Sequence, residues 1–196
     1  PRTKMVVVVS PNNPTGAAVG AADLTAFLDR LPGRVLPVLD EAYFEYMNGA
    51  GHDGASEVRS GRPMVVTRTF SKIFGLAGLR IGYMFAPADL LTAVGKVRNV
   101  FDVNNLAKVA ATASLTQAAS LLPDRVALNL GERARVGDRL ALLGLVTLPS
   151  DGNFLFIEMG SAERAIGLFE ALLARGIIIR PTRGFGAPTG VRVTIG

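Results

Sequence analysis

The sequence predicts an α/β fold: a three-layer large domain on a mostly parallel sheet, followed by a smaller α+β domain at the C-terminal end. Three observations lead there. The runs MVVVVS (5–10), VLPVLD (35–40) and MVVTRTF (64–70) are short, β-branched and nearly continuous in apolar character, as parallel strands covered on both faces require. Helical stretches separate them, which is the βαβ pattern. Past residue 145 the order changes to strand, helix, strand, strand.

Taken in order, AADLTAFLDRL follows the first strand with Leu24, Phe27, Leu28 and Leu31 at helical spacing, and Pro32-Gly33 closes it. LRIGYMFA (79–86) reads as a fourth strand. PADLLTAVGKVRNVF then places Pro87 in the first turn of a helix. Helical stretches continue to about Leu145, with Gly131 and Gly137 as weak points. On them Arg125, Arg133, Arg135 and Arg139 alternate with Glu132 and Asp138, the pattern of a solvated face. NFLFIEM, the helix SAERAIGLFEALLARG ending on Gly176, IIIRP and VRVTIG complete a βαββ unit. The predicted division is a large domain over 1–118 and a small one over 119–196.

Composition removes several function classes. An apolar fraction of 49% over 196 residues is that of a globular core. There is no Cys, so neither a disulfide framework nor a thiolate metal site exists, and the single histidine, His52, falls in the loop-like NGAGHDGAS. No zinc site or Ser/His/Asp triad is expected. No apolar run approaches the roughly 20 residues of a membrane span, so a soluble, cytoplasmic protein without membrane contact is expected. The net charge of +5 is spread along the chain with no basic run longer than two residues, which argues against nucleic acid and suits anionic small molecules. GFGAPTG (184–190) lacks dinucleotide spacing and leads into a strand; Thr69-x-x-Lys72 lacks the companion motifs of acylating serine enzymes; no P-loop is present. The chain opens on Pro1 and closes on a motif, and it reads as part of a longer protein.

Ligands of open parallel sheets gather beyond the carboxyl ends of the strands. Ser10–Gly16 (SPNNPTG) follows the first strand, Asp40–Tyr43 (DEAY) the second, and Thr69–Lys72 (TFSK) the third. An amide, a carboxylate, a phenol and an amine therefore meet at one sheet edge. Singly, each has an ordinary explanation: an Asn-Pro turn, a capping Asp, a packed Tyr, a surface Lys. Together they make a coincidence hard to sustain.

NNPTG, LDEAY, TFSKIFGLAGLRIG and VRVTIG, in this order and near this spacing, resemble the fold type I pyridoxal phosphate (PLP) aminotransferases of classes I and II over essentially the whole chain. The resemblance implies a role for each residue. Lys72, one of only four lysines beside seventeen arginines, holds PLP covalently and shuttles the substrate proton. An amine attacks an aldehyde only when unprotonated, a form that apolar surroundings and a neighbouring cation favour. Arg80, Thr69 and Ser71 bind the PLP phosphate, Asp40 pairs with the pyridine nitrogen, and Asn13 and Tyr43 bond the phenolic oxygen. Arg192 clamps the substrate α-carboxylate beside Asn13. A cis peptide is expected before Pro14 or Pro11.

IIIRPTRGFGAPTGVRVTIG and SDGNFLFIEM look most like the histidinol-phosphate aminotransferases, in which Arg180 would hold the phosphorylated end of the substrate and Asn153 would line the small-domain side. Aromatic aminotransferases and threonine-phosphate decarboxylases share the same scaffold. The implied partners are an amino acid or amino-alcohol phosphate, 2-oxoglutarate or glutamate, and a second subunit in a homodimer. A Gly/Ser phosphate loop, a ring-stacking aromatic and a partner tyrosine are not found, so this stretch alone is expected to be inactive. The aminotransferase-like sensor domain of some transcription regulators is the alternative from another class.

Overall fold

The computed structural model describes residues 2–47 and 51–196. In its first sheet β1 (Met5–Val9), β2 (Leu36–Asp40) and β3 (Val65–Thr69) run parallel, and β4 (Gly82–Phe85) joins β3 antiparallel, in the order β1-β2-β3-β4. Two hydrogen bonds extend the ladder past the strand ends, Ser10 N–H to Asp40 O at 3.0 Å and Glu41 N–H to Thr67 O at 2.9 Å. They hold the three carboxyl ends level, so the segments that follow leave from one edge.

Apolar side chains cover both faces of this sheet. On one, Leu24 and Leu28 of α1 (Ala21–Arg30) pack against Leu39, Met64 and Val66. Phe27 lies at the margin of the α1 stripe and is exposed, unlike the expectation for it. On the other face Tyr43, Tyr46, Phe70, Ile73 and Phe74 form a core with Ala111 and Phe154. After β4 come α3 (Ala88–Gly95), with Pro87 as its N-cap, and α4 (Asn105–Thr116), whose cap Asn104 accepts a bond from Ala107 N–H at 2.8 Å. β4 is shorter than its apolar run. Ala77–Leu79 form a 3-10 turn and Arg80 is left-handed, which ends extended structure before Gly82.

α5 (Ala118–Leu142) runs unbroken through Gly131 and Gly137, and through Pro123 near its start. Tertiary anchoring overrides those weak points. Arg125 Nη1 donates to Ile73 O and Arg133 Nη1 to Gly152 O, each at 2.7 Å. These two arginines are therefore inward tethers, not the solvated residues their spacing suggests. Arg135, paired with Glu132 at 2.6 Å on the surface, does follow the expectation.

The second sheet is antiparallel in the order β5-β6-β8-β7, from β5 (Val146–Thr147), β6 (Phe154–Glu158), β7 (Arg180–Pro181) and β8 (Gly190–Thr194). α6 (Ala162–Leu173), capped by Ser161, packs Ala165 against Ile157, Ile179 and Val191. Of the predicted strand IIIRP only Arg180–Pro181 pair, and Ile177 and Ile178 are exposed. The segment read as a loop around His52 contains α2 (Gly54–Arg59), and His52 itself is buried. The signal for that helix was Asp53, whose Oδ1 accepts from Ala55 N–H at 3.0 Å.

Candidate active site

Asp40, Thr69, Ser71, Lys72 and Arg80 line one pocket of about 420 Å3 at the carboxyl edge of the first sheet. Each is placed by the chain just before it. Asp40 ends β2, and its Oδ1 accepts from Ala42 N–H at 3.1 Å, which leaves Oδ2 uncommitted. Thr69 ends β3, and its Oγ1 accepts from Ser71 N–H at 3.0 Å, so its hydroxyl hydrogen stays available. Lys72 follows in a turn closed by Gly75 N–H on its own carbonyl at 2.9 Å. Its Nζ stands 5.1 Å from the centre of the Tyr43 ring. Arg80 has φ 52°, a left-handed conformation that costs a non-glycine residue about 1–2 kcal/mol. Its Nη1 donates to Ala77 O at 2.8 Å, and the guanidinium is turned to the pocket rim.

Asn13 comes from the loop after β1. Asn12 O accepts from Gly16 N–H at 2.7 Å, Ser10 Oγ accepts from Val19 N–H at 2.8 Å, and both Ser10-Pro11 and Asn13-Pro14 are cis. The expectation of one cis bond is met at both sites. Gly16 has φ 84° and touches Ser150 so closely that a Cβ would overlap it, while its carbonyl accepts from Asp151 N–H at 2.8 Å. The loop is thus pressed against the turn before β6.

Arg192 reaches the same loop from β8, its Nη1 donating to Asn13 Oδ1 at 2.6 Å. Its guanidinium lies 5.1 Å from the Phe154 ring centre, and Phe154 meets Tyr43 edge-on at 5.1 Å. Arg192 Nε is buried without a hydrogen-bond partner among the described residues. Asn153 lines an adjoining cavity of about 240 Å3 with Lys72, Asn129 and Tyr46. Burial pushes the Tyr46 hydroxyl up to about 12, so it stays neutral. Arg180 stands apart. It is exposed, and it pairs in register with Arg192 across β7 and β8, so both side chains leave the same face of that sheet.

The family model for aminotransferases of class I and II matches residues 1–196. The chain belongs to that family. This aminotransferase chain is 44% identical over 196 residues to a histidinol-phosphate aminotransferase of Anaeromyxobacter sp. (strain Fw109-5), covering all of this chain and 53% of that protein. It is 45% identical over 195 residues to an aromatic amino acid aminotransferase of Rhodococcus opacus (strain B4), of which it covers 52%. The crystal structure of the Sinorhizobium meliloti histidinol-phosphate aminotransferase in complex with pyridoxal-5'-phosphate superposes with a TM-score of 0.89 at 32% identity, over 98% of this chain and 52% of that one. The chain spans about half the length of the relatives it matches.

Beneath the pocket this aminotransferase chain holds an ionic cluster that sequence reasoning missed. Glu41 points to the sheet face opposite Asp40, as alternation demands, and is fully buried. Its Oε2 accepts from Arg68 Nε at 2.8 Å and Nη2 at 2.7 Å, and its Oε1 accepts from Gly54 N–H at 2.8 Å. Arg68 also reaches Asp53 Oδ1 at 2.6 Å and stacks 3.4 Å over the Phe44 ring. Burial pushes the Glu41 carboxyl above the usual range against the pull of Arg68. For Asp53 burial acts the same way, but the Arg68 hydrogen bond and charge outweigh it and hold the carboxyl low. The signal was present in the Glu of DEAY and the Arg of TRTFSK, although nothing local joins residues 27 apart.

Proposed function

We propose that this chain carries most of a PLP-dependent aminotransferase site that acts on histidinol phosphate or a similar amino-alcohol phosphate, with glutamate and 2-oxoglutarate as the amino donor and acceptor pair. The observation behind this reading is the single pocket that gathers a carboxylate, two hydroxyls, an amine and a guanidinium. That donor set fits PLP: cations and hydroxyls for a phosphate, a carboxylate for a ring nitrogen, an amine for an aldehyde. When bound, the cofactor supplies the electron sink for a carbanion at the substrate Cα.

The protein's share follows from the free valences. Asp40 Oδ2 holds a proton at the pyridine nitrogen. Thr69, Ser71 and Arg80 donate to the phosphate, and Lys72 Nζ anchors the cofactor and moves the Cα proton. With Oδ1 committed to Arg192, Asn13 has only Nδ2 left to donate to the phenolic oxygen, beside Tyr43. Arg192 in turn keeps Nε and Nη2, a side-on fork, for the substrate carboxylate, which would satisfy the buried Nε. Arg180, whose side chain has no hydrogen bond or ion pair among the described residues, is the second cation for a distal phosphate, and Asn153 lines the side between them. In this reading residues 1–118 bind the cofactor, residues 119–196 close over the substrate, and the full-length protein works as a homodimer.

Borohydride reduction of PLP-loaded full-length protein should fix one cofactor on Lys72, and Lys72→Ala should abolish the label. Label on another lysine, or none in the wild type, defeats the reading. The relative from Rhodococcus supports an aromatic substrate as the second reading; preference for phenylalanine over histidinol phosphate would decide for it.

A further inference from the structure

His52 adds a side-chain tie between two parts of the site that the Ser10 N–H to Asp40 O bond and the Gly20–Gly51 bridge also connect. It is the single histidine of the chain and is 5% exposed. Its Nδ1 lies 2.9 Å from Val19 O. A carbonyl only accepts, so Nδ1 carries a proton. Its Nε2 lies 3.4 Å from Glu41 Oε1 and has no hydrogen-bond partner among the described residues. A neutral ring would turn a lone pair towards that carboxylate, whereas an imidazolium turns an N–H towards it.

Charged groups surround the ring. Glu41 faces the ring from the end of β2, Arg68 stands behind Glu41 on β3, Asp53 adjoins His52 in its own segment, and the loop before α1 offers only the Val19 carbonyl. Arg59 reaches Asp53 at 3.1 Å only from the exposed side. Glu41 is also bonded to Arg68 and to Gly54 N–H, so the ring meets a carboxylate already fixed in place.

Both ends of the link lead to the site. Val19 N–H donates to Ser10 Oγ and closes the loop that carries Asn13. Glu41 is bonded in sequence to Asp40. We propose that His52 is a positioning residue that, held between Val19 O and Glu41, ties the Asn13 loop to the strand end bearing Asp40 and so helps to fix the separation of the amide and the carboxylate. The proposal rests on the cofactor roles given above for those two residues.

The test uses the full-length protein as wild type and as His52→Gln, whose amide nitrogen can donate to Val19 O while its other polar atom, an oxygen, offers Glu41 no donor. Three quantities are read against pH: the PLP dissociation constant of the apo protein, the pH midpoint of the bound cofactor's visible band, and the apo melting temperature. The variant should bind PLP roughly ten-fold more weakly at neutral pH, the scale of loss seen when a group that orients a ligand is removed. Its band midpoint should shift as well. A variant with wild-type affinity and midpoint overturns the proposal, even with a lowered melting temperature. Failure of His52→Gln to fold also overturns it, because the residue would then serve the fold alone. A wild type that binds no PLP at Lys72 defeats the cofactor reading instead, so the two failures are distinguishable.

Discussion

Replacing Arg68 with methionine keeps the unbranched stem and removes the charge that serves two carboxylates. Glu41 is then left fully buried, with Gly54 N–H and His52 as its remaining partners. Removing one member of a buried ion pair costs about 3–5 kcal/mol, because the stranded charge keeps its desolvation penalty. Loss of the stacking over Phe44 at 3.4 Å adds about 0.5–2 kcal/mol. The expected loss is therefore about 4 kcal/mol or more, close to three decades in the folding equilibrium at about 1.4 kcal/mol per decade. Urea denaturation of the apo full-length protein measures it. Adding Glu41→Gln on top should recover at least half of the loss, since a neutral amide strands no charge. Arg68→Met within about 1 kcal/mol of wild type, or a double variant no better than the single one, would refute the view that the stranded Glu41 charge dominates.

Two other outcomes follow from the same geometry. Arg192→Ala should weaken every amino substrate alike, whereas Arg180→Ala should cost roughly ten- to a hundred-fold in kcat/KM for histidinol phosphate and far less for phenylalanine, as loss of a charge-assisted contact implies; equal losses would remove Arg180 from phosphate recognition. Asp53, held below its ordinary 3.8 by Arg68, contributes stability that is present above that value and lost as pH falls through its lowered one. Asp53→Asn should therefore flatten the fall in apo melting temperature below about pH 4, and an unchanged acid limb would argue against it.

The sequence by itself determined the features that are local. Strand composition and helical spacing marked β1, β2, β3, α1 and α6, because alternation and 3.6-residue periodicity are properties of neighbouring residues. The same locality exposed Asp40, Thr69, Ser71 and Lys72, each at or just past the end of a strand. Only the tertiary structure decided which distant residues meet. Asn13 and Arg192 are 179 apart, Glu41 and Arg68 are 27 apart, and Arg125 reaches Ile73 across 52. Those pairs depend on sheet order and register, and a slip of one residue sends every side chain of a strand to the opposite face. Arg68 shows the consequence. Between Thr67 and Thr69 in sequence, it lines their pocket too, and only the placement of Glu41 and Asp53 shows that its guanidinium is held in an ionic cluster and makes it part of the site's foundation.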